Sequence, residues 1–110
     1  MPHIVIRGIS AERVQTVSKP LIEQLAEICQ CGTDNFIIEC LHTTAITDGE
    51  ITPSFPFIEV GWFERGQETR NRFAQALAIN LQLLDVPELE IAFRAYREDS
   101  YYVNGKLIGE

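Results

Sequence analysis

Residues 2–8 read "PHIVIRG" and residues 56–62 read "PFIEVGW", and the likeness of these two stretches decides the fold. Pro2, Ile4 and Ile6 fall on Pro56, Ile58 and Val60 when the chain is shifted by 54 positions, and Asp34 and Ile37 fall on Glu88 and Ile91 at the same offset. Apolar residues at every second position mark a strand. A proline is tolerated at its first residue, because that position need not donate to the ladder. The order of elements around the two stretches repeats as well, so the chain reads as one structural unit said twice.

Working outward, "SAERVQTVSKPLIEQLAEICQCG" (10–32) is a helix, with Ser10 as its N-cap and Gly32 as its stop. Val14, Val17, Leu21, Leu25 and Ile28 recur at helical spacing, and Pro20 predicts a kink or a turn near Lys19. A second strand follows in "NFIIECLHT" (35–43), then the polar, turn-rich "TTAITDGEITPS" (43–54). The pattern restarts with a strand in "FPFIEVGWF" (55–63) and an amphipathic helix in "GQETRNRFAQALAINLQLL" (66–84), where Phe73, Leu77, Leu81 and Leu84 are in phase. "ELEIAFRAY" (88–96) is a fourth strand, and in "YYVNGKLIG" (101–109) the Asn104-Gly105 pair signals a hairpin turn.

At 110 residues the chain fits a single domain, 1–110, with pseudo-repeats of about 1–54 and 55–110. A formal charge of −7 argues against a nucleic-acid partner and against anionic membrane surfaces, both of which favour basic patches. No apolar run approaches the roughly 18 residues of a membrane span, and no basic stretch leads into an apolar one as in a secretory leader. The cysteines are Cys29, Cys31 and Cys40, an odd number that reads as reduced thiols of a cytoplasmic protein. "CQC" (29–31) also admits a metal or redox pair, but His3 and His42 are isolated in sequence and complete no ligand set, so neither metal nor cofactor is expected.

A tandem β-α-β unit with right-handed crossovers gives a four-stranded mixed sheet with both helices on one face, an α+β fold. The other face has no cover within the chain. Yet Ile4 and Ile6 on one parity and Val5 on the other are all apolar, as are both parities of "FIIECL" (36–41). A sheet apolar on both faces requires a cover on both, and the most economical cover is another copy of the same sheet.

This pattern resembles the tautomerase superfamily, the group of macrophage migration inhibitory factor, 4-oxalocrotonate tautomerase and 5-(carboxymethyl)-2-hydroxymuconate isomerase. The opening "MPHIVI" (1–6) and "PFIEVGWFERGQETRNRFAQALAINL" (56–81) carry the resemblance, which extends over essentially the whole chain. More narrowly, "EVGWFERGQE" (59–68) with the later "YYVNG" (101–105) resembles a branch whose activity is not established. The resemblance implies a homotrimer with clefts at the subunit boundaries, and a small-molecule substrate with an enolisable carbonyl or a 2-oxo acid group. It makes Pro2 the general base, provided that Met1 is removed; with Met1 in place the Pro2 nitrogen is an amide and has no basicity.

Enolate charge needs a nearby cation or donor, and the lysine that the migration inhibitory factor carries before its second strand has no counterpart in "CGTDNF" (31–36). Arg65 and Arg97 are the candidate replacements, each also readable as a surface charge. Trp62 and Phe63 read either as the wall of a pocket mouth or as interface packing. Tyr101 is a candidate phenol donor to substrate, and Asn104 a candidate carbonyl-orienting group that is equally a turn residue. Glu59 interrupts an apolar run at the parity of Val5 and Arg7, which predicts a buried ion pair with Arg7. The alternative to an enzyme is a non-catalytic trimeric binding or interaction protein on the same scaffold; a ferredoxin-like dimeric regulatory domain shares the duplication.

Overall fold

In the computed structural model, which describes residues 2–108, the two apolar stretches are neighbouring strands. β1 (His3–Arg7) leads into α1 (Ala11–Cys29) and β2 (Ile37–Leu41), and β5 (Phe57–Trp62) leads into α2 (Gln67–Gln82) and β6 (Glu90–Ala95). The sheet runs β2-β1-β5-β6, parallel within each half and antiparallel where β1 meets β5. Two short ribbons stand outside it, β3 (Ala45–Thr47) with β4 (Glu50–Thr52), and β7 (Tyr102–Val103) with β8 (Lys106–Leu107).

Alternation sets the two faces. Ile4, Ile6, Ile58, Val60 and Trp62 point to the helices and are fully buried, with Val14, Leu21, Leu25, Phe73, Leu77 and Leu81 packed over them. Removing such side chains from water is the main stabilising term, about 1.5–3 kcal/mol each. Asn80 is the buried polar residue of this core; its amide donates to Gln24 Oε1 at 2.9 Å and to the Ala76 carbonyl at 2.8 Å, which ties α2 to α1. The opposite face carries Val5, Ile37, Leu41 and Phe57, half-buried or exposed, and among the described residues no helix is laid across them as on the other side.

The register also aligns the halves. The Ile37 N–H donates to the Pro2 carbonyl at 3.3 Å, and the Glu90 N–H donates to the Pro56 carbonyl at 3.1 Å. His3 stands opposite Ile37 and Phe57 opposite Glu90, so the second strands correspond one residue away from the offset that aligns the first strands. Ile91 is therefore the partner in space of Ile38, not of Ile37. A one-residue error of this kind exchanges the two faces of a strand.

Several expectations are corrected. Pro20 marks no turn near Lys19: α1 continues through it from Ala11 to Cys29. Pro20 is exposed, and nearby carbonyls are bonded by side chains, Arg13 by the Thr16 hydroxyl at 2.7 Å and Gln15 by the Ser18 hydroxyl at 2.9 Å. The helix stops before Gly32, because Gln30 takes the left-handed conformation at φ 54° and its N–H caps the last turn. The stretch 43–54 is a hairpin rather than a plain loop, turned by Asp48 (φ 51°) and Gly49 (φ 76°). Glu59 is half-buried, and its carboxylate lies 3.6 Å from Arg94 on the next strand, while Arg7 leans over the Phe57 ring at 4.8 Å. Arg7 faces Phe57 directly across the ladder, and stacking there takes it away from Glu59.

Pro20 costs α1 a backbone hydrogen bond that the rest of the core outweighs. Pro20→Ala is expected to stabilise the fold by up to the ~3 kcal/mol that separates proline from alanine in a helix interior, and so to raise the melting temperature. An unchanged or lowered transition in thermal denaturation contradicts this.

Candidate active site

Because β1 and β5 are antiparallel with His3 opposite Gly61, the start of β1 lies beside the end of β5. That pairing brings the first residues of the chain to the segment that leaves the sheet through Trp62, Phe63 and Arg65. The Pro2 ring is fully buried, and its carbonyl is fixed by the bond from Ile37. Met1 lies outside the described residues.

Arg65 is half-buried and held from two sides. Its guanidinium donates to the Phe63 carbonyl at 3.3 Å and lies 5.2 Å from the Trp62 ring centre. Among the described residues no carboxylate is within ion-pair reach of it. Its charge is felt at the end of α1: burial pushes the Cys29 thiol up, and Arg65 opposes that shift. A fixed guanidinium with no counter-charge is a group able to accept an anion.

On the uncovered face, four rings gather over Gly61. A Cβ on Gly61 would fall 2.0 Å from the Tyr96 hydroxyl, so Tyr96 occupies the space a side chain would take. Tyr96 is drawn there by its own N–H, which donates to the Trp62 carbonyl at 2.7 Å. Tyr101 packs against Phe63 and Tyr96 at 5.0 and 5.4 Å between ring centres, and its hydroxyl is 3.4 Å from His3 Nε2. The His3 ring meets Tyr96 edge-on at 6.2 Å.

The candidates from sequence therefore divide. Pro2, Arg65 and Tyr101 share this end of the sheet. Trp62 lies in the core beneath it, fully buried against Phe73 and Phe93, so it supports Arg65 and forms no pocket mouth; its Nε1–H has no partner among the described residues. Asn104 is an exposed turn residue at φ 53°, at the tip of the β7–β8 ribbon. Arg97 is exposed and bound in two bonds, at 2.9 and 2.6 Å, to Asp99. His3, isolated in sequence, is part of the ring cluster, as is Tyr96, which no motif marks. The readable signal for Tyr96 was Gly61, a glycine inside a strand, which marks a place where another group approaches closely. Among the described residues no group of three or more His, Cys, Asp or Glu side chains converges as a metal site.

Residues 1–107 match the family model described as a domain of unknown function, DUF1904. The crystal structure of a DUF1904 domain from Sebaldella termitidis ATCC 33386 is 33% identical, with 96% of this chain and 97% of that chain covered and a TM-score of 0.88. A fused 4-OT, solved as an asymmetric trimer, is 14% identical over 96% of this chain and 94% of its own, with a TM-score of 0.79. Pt0534 inactivated by 2-oxo-3-pentynoate is 13% identical over 96% and 94%, with a TM-score of 0.72. The architecture is that of the tautomerase superfamily members among these neighbours, as the tandem repeat implied. No curated protein matches the chain.

Gly61→Ala is expected to expel Tyr96 from its seat and to loosen the ring cluster. Overpacking of this kind costs about 1–3 kcal/mol, and the near-ultraviolet circular dichroism of the tyrosines should fall with it. A native tyrosine spectrum in the variant contradicts the placement.

Proposed function

The chain belongs to the DUF1904 family, and from that premise we propose that it is a small-molecule tautomerase or isomerase with the Pro2 nitrogen as general base. The substrate class is an enolisable carbonyl, with a 2-oxo acid as the fullest match. The observation that carries this reading is the position of Pro2 before a central strand, at the same end of the sheet as the guanidinium of Arg65, which has no ion-pair partner among the described residues.

In a chain from which Met1 has been removed, Pro2 presents a secondary amine. An α-amino group ordinarily titrates at about 8, and a poorly solvated site disfavours its charged form and lowers that value. Burial of the Pro2 ring supports such a site. The neutral amine takes the proton beside the substrate carbonyl, and the electron pair moves to the carbonyl oxygen. Arg65 stabilises that oxygen or the neighbouring carboxylate, and the ammonium returns the proton at another position, completing the shift between keto and enol forms. The donor role assigned to Tyr101 draws on its hydroxyl, which lies 3.4 Å from His3 Nε2, next to Pro2 in the chain. Assembly as a homotrimer covers Val5, Ile37, Leu41 and Phe57, and the trimer described for the fused 4-OT is in keeping with it. The second reading, a non-catalytic trimeric binding protein, draws on the complete burial of Pro2.

In Met1-processed protein, 2-oxo-3-pentynoate is expected to alkylate Pro2, seen as an adduct on the N-terminal peptide by mass spectrometry. Retained Met1 should block it. The same processed protein should ketonise the enol of phenylpyruvate, with a rate that rises with pH through the amine, and Arg65→Gln should lower kcat/KM about a hundredfold. Absence of both adduct and rate selects the non-catalytic reading. Native mass spectrometry at micromolar concentration is expected to give a trimer; a monomer contradicts the need for a cover on the open face.

A further inference from the structure

The two thiols of "CQC" (29–31) have no part in the Pro2 chemistry. Cys29 is the last residue of α1, and Gln30 takes the left-handed conformation at φ 54° and ψ 49°. The Gln30 N–H donates to the Glu27 carbonyl at 3.2 Å and the Cys31 N–H to the Ala26 carbonyl at 3.0 Å, so both are pinned to the last turn. This pair of bonds turns the side chain after the left-handed residue back over the helix end. A residue in a helical conformation of either hand sets its two neighbours about 5.5 Å apart at Cα, whereas an extended one sets them about 7 Å apart. Disulfides are most frequent at Cα separations of about 5.5–6 Å. The left-handed cap therefore holds Cys29 and Cys31 at bridging distance.

The three cysteines differ in their surroundings. Cys29 packs against the core, where burial pushes its thiol up; the Arg65 guanidinium opposes that shift and neighbouring Cys31 adds to it. Cys31 lies past the helix end and is half-buried. Cys40 lines a groove with Ala11 and Val14, at the other end of α1. From Ala11 to Cys29 the helix rises about 27 Å, at roughly 1.5 Å per residue, so Cys40 is no partner for the pair. Among the described residues no third His, Cys, Asp or Glu joins the two thiols as a metal site. The pair belongs to the helix layer, on the side of the sheet away from the face that another copy covers.

We propose that Cys29 and Cys31 form a reversible dithiol–disulfide site whose reactant is a low-molecular-weight disulfide. The Cys31 thiolate attacks one sulfur of the small disulfide, which forms a mixed disulfide and releases the first small thiol. The Cys29 thiolate, with the Arg65 charge to favour it, then attacks the Cys31 sulfur and releases the second. The protons of the two cysteines end on the two released thiols. The pair is oxidised by two electrons and the small disulfide is reduced by two. A bridge that closes so short a loop restrains the unfolded chain little, so it adds little to the fold and is open to reduction by excess thiol.

The site is independent of Pro2 chemistry, and so is its test. Reduced full-length protein is exposed to glutathione disulfide, quenched in acid, unfolded and alkylated. Cleavage after Glu27 and Glu39 then separates Cys29 and Cys31 from Cys40. The 28–39 peptide is expected without alkyl groups and lighter by two hydrogens than its dithiol form, with Cys40 alkylated, and dithiothreitol should restore both thiols. Cys29→Ser is expected to stop at a glutathione adduct on Cys31. Gln30→Val, which opposes the left-handed cap, should slow the second step about tenfold, whereas Gln30→Gly should keep it. Thiols that stay reduced, a mixed disulfide that persists in the native chain, or a bridge to Cys40 or to another chain overturns the proposal. Equal rates for Gln30→Val and the native chain overturn the part given to the cap.

Discussion

The antiparallel pairing of β1 with β5 is the constraint on which the rest depends. Each half could pair its own two strands through a helical crossover, but only this junction makes one sheet of them, with Ile4 opposite Val60 and Ile6 opposite Ile58. Those four side chains are fully buried together under the helices, so a slip by one residue would turn both central strands inside out. The junction also decides which chemistry meets. It places His3 over Gly61 at one end and Arg7 beside Phe57 at the other, residues that are fifty or more positions apart in sequence.

Trp62 shows how packing and chemistry share one residue. Its ring is wedged between Phe73 of α2 and Phe93 of β6, in tilted and edge-on contacts. Such contacts contribute about 0.5–1.5 kcal/mol each beyond their buried area. The ring lies within cation–π reach of Arg65, and so helps to fix a charge at the site without touching solvent itself. At the start of α2, Glu64 does similar work: it accepts from the Gly66 N–H at 2.8 Å and pairs with Arg70, whose bond holds the carboxyl below its ordinary range. The loop between strand and helix that carries Arg65 is thus pinned at both ends.

The sheet, the helices and the unit repeated twice were legible, because period-two and helical spacing report burial directly. Pro20 marks no turn because propensity is a local quantity, and a helix held by Val14, Leu21 and Leu25 on its other face tolerates a proline on the exposed side. Gln30 capped α1 ahead of Gly32 because a non-glycine residue can take a left-handed conformation when the cap bonds reward it. Of the candidate site, Pro2, Arg65 and Tyr101 belong to one end of the sheet, with Arg65 against Trp62 and Tyr101 against Phe63, whereas Arg97 is satisfied two residues away by Asp99. Which side chain answers a charge depends on rotamers and register, and linear order carries neither. The His3–Tyr96–Tyr101 cluster joins the two ends of the chain and was visible only as an unexplained glycine.

Duplication has a consequence in stoichiometry. Pro2 and Pro56 begin equivalent strands, and each carbonyl receives the same bond from the strand alongside. Their nitrogens differ once Met1 is removed: an internal proline is always an amide, so only a strand start at a chain terminus can offer an amine. Doubling the scaffold therefore cannot double a chemistry that lives on the terminus. An assembly of these chains holds two architecturally matched ends per subunit and at most one base between them. The second end is released from that requirement and is free to acquire charges, such as Arg7 and Glu90, that an amine beside them would not tolerate unchanged.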